Sequence, residues 1–150
     1  MVGLGNPILG DDGVGWQIAR QVQQQSGFPS TVEIDCLSVG GISLMERLIG
    51  FERAILIDAF VTRQNPVGTL LCFSLEELPI RALGHISSAH DTTLQNALQV
   101  GKEMGAQLPD EITVVTVEAQ NVYDFSEELT PAVAAAVPKA VQVIMELLGG

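Results

Sequence analysis

The sequence predicts an α/β fold of three layers: a twisted, mostly parallel five-stranded sheet flanked by helices on both faces. Three observations lead there. Strand-like and helix-like segments alternate along the 150 residues, the pattern of a sheet covered by helices. One segment, RAILIDAF at 53–60, is almost continuously apolar, as a strand buried on both faces must be. Hydrophobic residues make up 47% of the chain and charged residues 17%. That is enough for a packed core and too little charge for a disordered chain. The length suits one domain, 1–150.

The elements follow in order. VGLGN (2–6) reads as the end of a buried strand, with only Met1 and Val2 ahead of its first glycine. Asp12 to about Gln25 reads as a helix, since Val14, Ile18 and Val22 fall on one face. STVEIDCL (30–37) is strand-like, Gly40-Gly41 makes a turn, and Ile42–Ile49 is a short helix. The apolar strand 53–60 belongs near the sheet centre. GTLLCFS (68–74) is a strand entered through the turn Asn65-Pro66-Val67-Gly68. Asp91 to about Met104 is helical, aligning Leu94, Leu98 and Gly101. EITVVTVE (111–118) is the last strand. Thr130 caps a final helix that opens on Pro131 and aligns Val137, Val141, Ile144 and Leu148. Pro138 inside it should bend it.

Composition narrows the partners. The formal charge is −11, from seven Lys plus Arg against eighteen Asp plus Glu. That balance opposes nucleic acid, which is bound by basic side chains, and opposes an anionic membrane surface. No stretch reads as long and apolar enough to cross a bilayer, and no secretory signal is visible. Two cysteines, Cys36 and Cys72, are too few for a disulfide scaffold. Both fall in strand-like runs and read as buried free thiols of a cytoplasmic protein.

In an open α/β sheet, ligands bind outside the carboxyl ends of the strands, so residues just after strands are the candidates. Gly3-Leu4-Gly5 invites a dinucleotide reading with Asp35 on the ribose, but position 8 is Ile8 where a third glycine belongs. Asp11 and Asp12 also fill the helix start with negative charge, which repels phosphate. Asp11 is explained as a helix N-cap. Asp12 is not, and Gly13 and Gly15, poor helix formers, suggest close approach by another chain or a ligand. Asp58 ends the apolar strand, where a carboxylate is costly unless paired or bound. His90 stands at the entry of a helix, with Asp91 or Ser88 able to cap it. His85 is a weaker candidate in a loop. Gly40-Gly41 sets backbone geometry and could rim a bound peptide. Asp12, Asp58 and His90 each follow a different strand, so the fold could gather them at one edge. Two carboxylates and an imidazole suit a first-row divalent metal such as nickel or zinc, or acid–base chemistry without metal.

With these residues in view, the sequence resembles the nickel-iron hydrogenase maturation proteases, the hydrogenase-specific C-terminal endopeptidases. The resemblance spans nearly the whole chain. It rests on Gly5-Asn6 with Asp11-Asp12-Gly13-Val14-Gly15, on ILIDAF, on Pro66-Val67-Gly68, on SSAH followed by Leu94 and Leu98, and on Leu129-Thr130-Pro131. The SVGG loop at 38–41 lacks the acid that often precedes the glycines in relatives. The resemblance implies that Asp12, Asp58 and His90 hold a metal and carry catalysis. The metal is nickel supplied by the substrate, for which other divalent metals could substitute. The partner implied is the precursor of the hydrogenase large subunit, which loses a C-terminal extension after nickel insertion. Nothing in the sequence demands a dimer, so a monomer is expected. Two readings compete. One is a non-catalytic module that checks nickel loading. The other is peptidyl-tRNA hydrolase, whose opening VGLGNP resembles but whose following residues and basic surface are missing here.

Overall fold

A computed structural model describes residues 1–78, 84–86 and 93–149. Its five strands are β1 (Val2–Leu4), β2 (Asp35–Leu37), β3 (Arg53–Phe60), β4 (Leu70–Ser74) and β5 (Glu111–Glu118). Its helices are α1 (Val14–Gln23), α2 (Gly41–Leu48), α3 (Leu94–Glu103) and α4 (Pro131–Gly149). The strands lie in the order β2-β1-β3-β5-β4. All neighbours are parallel except β4, which runs antiparallel to β5 at the edge.

The apolar strand β3 is central, and its alternation builds both cores. Ala54, Leu56 and Phe60 pack towards α2 and α3 with Leu44, Leu48, Leu94 and Leu98. Ile55, Ile57 and Ala59 pack towards α1 and α4 with Val14, Ile18, Val137 and Ile144. Successive side chains of a strand point to opposite faces, so Asp58 shares the α2/α3 face with Leu56 and Phe60.

Gly15 explains how α1 lies so close to the sheet. A Cβ there would stand 2.4 Å from the Leu4 carbonyl oxygen and 2.6 Å from that of Ile57. The close approach expected at this glycine is therefore made by the chain's own strands. Gly15→Ala pushes the helix away from two backbones that cannot yield. The expected loss is about 3 kcal/mol, measured as a fall in the urea midpoint with an unchanged slope.

Several boundaries differ from the sequence reading, each for a local reason. The first helix begins with a 3-10 turn, Gly10–Gly13, before α1. The segment ahead of β2 is folded by a turn in which Val32 N–H meets the Pro29 carbonyl at 3.2 Å, so pairing starts only at Asp35. β4 starts at Leu70 because Thr69 N–H closes a turn onto Pro66 at 3.0 Å. The described part of α3 is capped by Thr93, whose hydroxyl accepts the Asn96 N–H at 3.2 Å; Ser88 and Asp91 lie outside the described residues. Cys36 is half-buried but Cys72 is exposed, because β4 is an edge strand with one face open.

α4 runs as one helix through Pro138. The proline sits on its exposed side, where water can take up the carbonyl that a proline leaves without a donor. By length and composition alone α4 is apolar enough to cross a membrane, with a mean hydropathy of 1.5, contrary to the sequence reading. Its Ala- and Val-rich stretch includes only Lys139 and Glu146 as charges. In the fold Val133, Val137, Ala140, Val141 and Ile144 are buried against the sheet.

Candidate functional site

The carboxyl ends of β1 and β3 place two acids side by side. β3 delivers Asp58, fully buried. One of its oxygens, Oδ2, accepts the Ile86 N–H at 3.1 Å. The other, Oδ1, is enclosed and has no hydrogen-bond partner among the described residues. β1 leads into the 3-10 turn that carries Asp12. There Asp12 Oδ2 accepts the Asn6 N–H at 2.9 Å and meets His85 Nε2 at 3.0 Å. Gly5 permits this packing: its φ is +139°, and a Cβ would fall 1.8 Å from the Asp12 carbonyl oxygen.

His85 reaches the two acids because the segment 84–86 is pinned on several sides. Ile86 is completely buried in the α2/α3 core. Gly84 lies against the Phe60 ring, 2.5 Å from where its Cβ would stand. The His85 carbonyl sits 2.7 Å from the corresponding position of Gly40. The Gly40-Gly41 turn thus makes room for the histidine segment. Nearby, Gly5 N–H bonds the Leu37 carbonyl at 3.0 Å, and the Ser38 hydroxyl donates to the Gly5 carbonyl.

Donor atoms of Asp12, Asp58 and His85 all lie within 4.8 Å of one another. Burial, with Asp12 adding like charge, pushes the Asp58 carboxyl up to about 7, although His85 and the neighbouring N–H groups favour its ionised form. The bond to Asp12 raises the His85 imidazole above its ordinary value, against the opposing effect of burial, and the charges of Asp58 and Asp12 add to the rise. A buried carboxylate oxygen without a donor is an unmet electrostatic demand. A divalent cation would meet it, and two carboxylates with one imidazole form a donor set suited to a first-row metal with positions left for a substrate. His90, the histidine that the resemblance pointed to, lies outside the described residues. The sequence offered His85 only as a loop residue, with no local pattern to single it out.

Asp11 is not the helix cap that the sequence suggested. Neither the 3-10 turn nor α1 has a side-chain cap. Its buried carboxylate turns away from the acid pair towards the β5–α4 connection. It accepts the N–H groups of Gln120 and Asn121, each at 3.0 Å. It also accepts the Thr130 N–H at 2.7 Å and the Thr130 hydroxyl at 2.8 Å. The Thr130 hydroxyl, expected to cap α4, donates its proton to this acid. Asp35 is remote from this function: it pairs with Arg47 at 3.5 Å on the surface.

Comparison with known proteins places the chain in a family. The model of the hydrogenase maturation protease family matches residues 16–147. The chain is 28% identical over 148 residues to the hydrogenase 2 maturation protease of Escherichia coli K12, covering 99% of this chain and 88% of that one. Its structure is similar to the solution structure of an endopeptidase from Escherichia coli, with a TM-score of 0.78 and 26% identity over 98% of this chain and 90% of that one. It is also similar to the [NiFe] hydrogenase maturation protease HybD from Thermococcus kodakarensis, with a TM-score of 0.70 and 25% identity over 98% and 96% of the two chains. The chain belongs to the hydrogenase maturation protease family and is a peptidase.

Proposed function

We propose that this endopeptidase removes the C-terminal extension of a nickel-iron hydrogenase large-subunit precursor after nickel has entered it. Asp12, Asp58 and an imidazole read the substrate's nickel. The observation that carries this reading is the enclosed Asp58 Oδ1, without a hydrogen-bond partner among the described residues, beside a second carboxylate and a histidine. The protein offers an incomplete set of ligands, and a metal arriving with the substrate completes it. Such a metal supplies Lewis acidity towards a carbonyl or water. The chain's own residues hold that chemistry in place. Asn6 N–H and His85 fix one oxygen of Asp12, and Ile86 N–H fixes one of Asp58. The recorded partner of the His85 imidazole is a carboxylate rather than a hydroxyl or thiol, which favours attack by water over an acyl-enzyme. Two unpaired cysteines suit action in the reducing cytoplasm.

The family resemblance assigns the imidazole to His90, and the geometry offers His85. The test is to incubate the protein with nickel-loaded and nickel-free precursor and weigh the precursor. Wild type releases a C-terminal peptide only when nickel is present. Asp12→Asn lowers the cleavage rate at least about a hundredfold, the scale of losing a metal-organising group. His85→Ala and His90→Ala run in parallel, and the variant that loses nickel-dependent binding of the precursor identifies the ligand. A precursor of unchanged mass in a stable, nickel-dependent complex with the wild type would overturn the cleavage of that substrate.

A further inference from the structure

Beside the site lies a loop whose backbone is held firmly and whose aromatic side chains stand in water. Ser126 forms a parallel bridge with Leu9: its N–H meets the Ile8 carbonyl at 2.9 Å, and its carbonyl takes the Gly10 N–H at 2.8 Å. The Asn121 carbonyl takes the Asp11 N–H at 2.7 Å. The Asn121 side chain accepts the N–H groups of Tyr123 and Asp124 at 3.4 and 3.2 Å. Even so, Tyr123 and Phe125 are 73% and 85% exposed, and Ile8 is 47% exposed. The chain has only five Phe, one Tyr and one Trp, so two large rings on one ordered loop need an explanation. Exposed aromatic clusters with polar borders mark interaction surfaces, and Tyr and Phe are favoured there.

Position and charge identify what covers them. Gly10 and Asp11, to which the loop is bonded, immediately precede Asp12 in the same 3-10 turn, so the loop adjoins the turn that carries the candidate site. Asp124, Glu127 and Glu128 are exposed on the same loop, and no Lys or Arg occurs between Lys102 and Lys139. The complementary partner is apolar with basic residues beside it. We propose that Ile8, Tyr123 and Phe125, together with Asp124, Glu127 and Glu128, dock the segment of the large-subunit precursor next to the scissile bond, a segment that presents an apolar side chain beside Lys or Arg. This rests on the reading of the chain as a large-subunit protease.

The experiment compares wild type, the double variant Tyr123→Ser/Phe125→Ser and the double variant Glu127→Lys/Glu128→Lys, all as full chains. Each is titrated with the nickel-loaded precursor for affinity and assayed for cleavage. Both variants should weaken binding and raise KM about thirtyfold, the scale of losing interface hot spots, with kcat within about twofold. The affinity of the isolated protein for Ni2+ alone should not change. Binding that is equal in all three proteins overturns the surface, whether or not the precursor is cut. Wild type that binds but does not cut sinks the protease reading, while loss of binding in the variants still upholds the surface. Wild type that binds no precursor overturns both. A shift from dimer to monomer in the aromatic variant, seen by sedimentation, assigns the surface to a second copy and overturns the proposal.

Discussion

Asp58→Asn produces a protein that no longer cleaves its substrate yet resists denaturation better than wild type above neutral pH. The carboxyl of Asp58 is fully buried and pushed up to about 7, far above the unfolded value of about 3.9. A group whose folded pKa is raised favours the native state while it is protonated. Its contribution is complete below about pH 4 and is lost as pH rises through about 7. Above that, the buried charge costs up to about 4 kcal/mol. Asparagine keeps the shape and the acceptor for Ile86 but carries no charge. The urea midpoint of the variant should therefore exceed that of wild type at pH 8, and the gap should narrow steadily as pH falls towards about 4. Activity is lost because the amide cannot replace a metal-binding carboxylate. A variant no more stable than wild type at pH 8 would show that Asp58 is ionised in the fold with its demand already met. Metal binding must expel the Asp58 proton, so affinity for Ni2+ should climb between about pH 6 and 8 in wild type. The asparagine variant should lack the Asp58 part of that climb.

The second large effect comes from the acid next to the site. Asp11→Ala removes the acceptor of three backbone N–H groups and one hydroxyl. Buried donors left without a partner cost about 1–3 kcal/mol each, not additively. The expected loss is about 3–5 kcal/mol, a large part of a typical domain's stability. Equilibrium urea unfolding would measure it. Asp12→Asn should cost less stability, since its amide oxygen can still accept the Asn6 N–H, and remove cleavage. Neighbouring acids then have opposite phenotypes, one structural and one chemical. An Asp11→Ala protein as stable as wild type would show that the β5–α4 connection holds without this carboxylate.

The sequence carried the layer order well because it is written in local periodicity. Val14, Ile18 and Val22 recur at helical spacing, and RAILIDAF has the unbroken apolarity of a central strand. Asp12 and Asp58 were noticeable because each stands where a charge is unfavourable without a partner: a carboxylate beside another at a helix start, and one at the end of a buried strand. Edges and returns were less legible. Cys72 lies in an apolar run, but nothing local says that β4 is the last strand of the sheet and leaves one face open. His85 sits in a loop without periodicity, 73 residues from the Asp12 it meets. Asp11 has the look of a helix cap because caps are judged by near neighbours, whereas its partners come from the far end of the chain.

That last distance bears on how the protein is made. Asp11 lies 109 residues before Gln120 and 119 before Thr130, the donors that fasten the turn holding both acids. A ribosome extends a chain from its amino end, and folding follows in that order where contacts are local. Here the earliest turn waits for nearly the last helix. Until Thr130 has left the exit tunnel, Asp11 lacks part of its donor set, and the turn that carries Asp12 is held less firmly. The turn that carries both acids is therefore fully fastened only after the segment through Thr130 has been made.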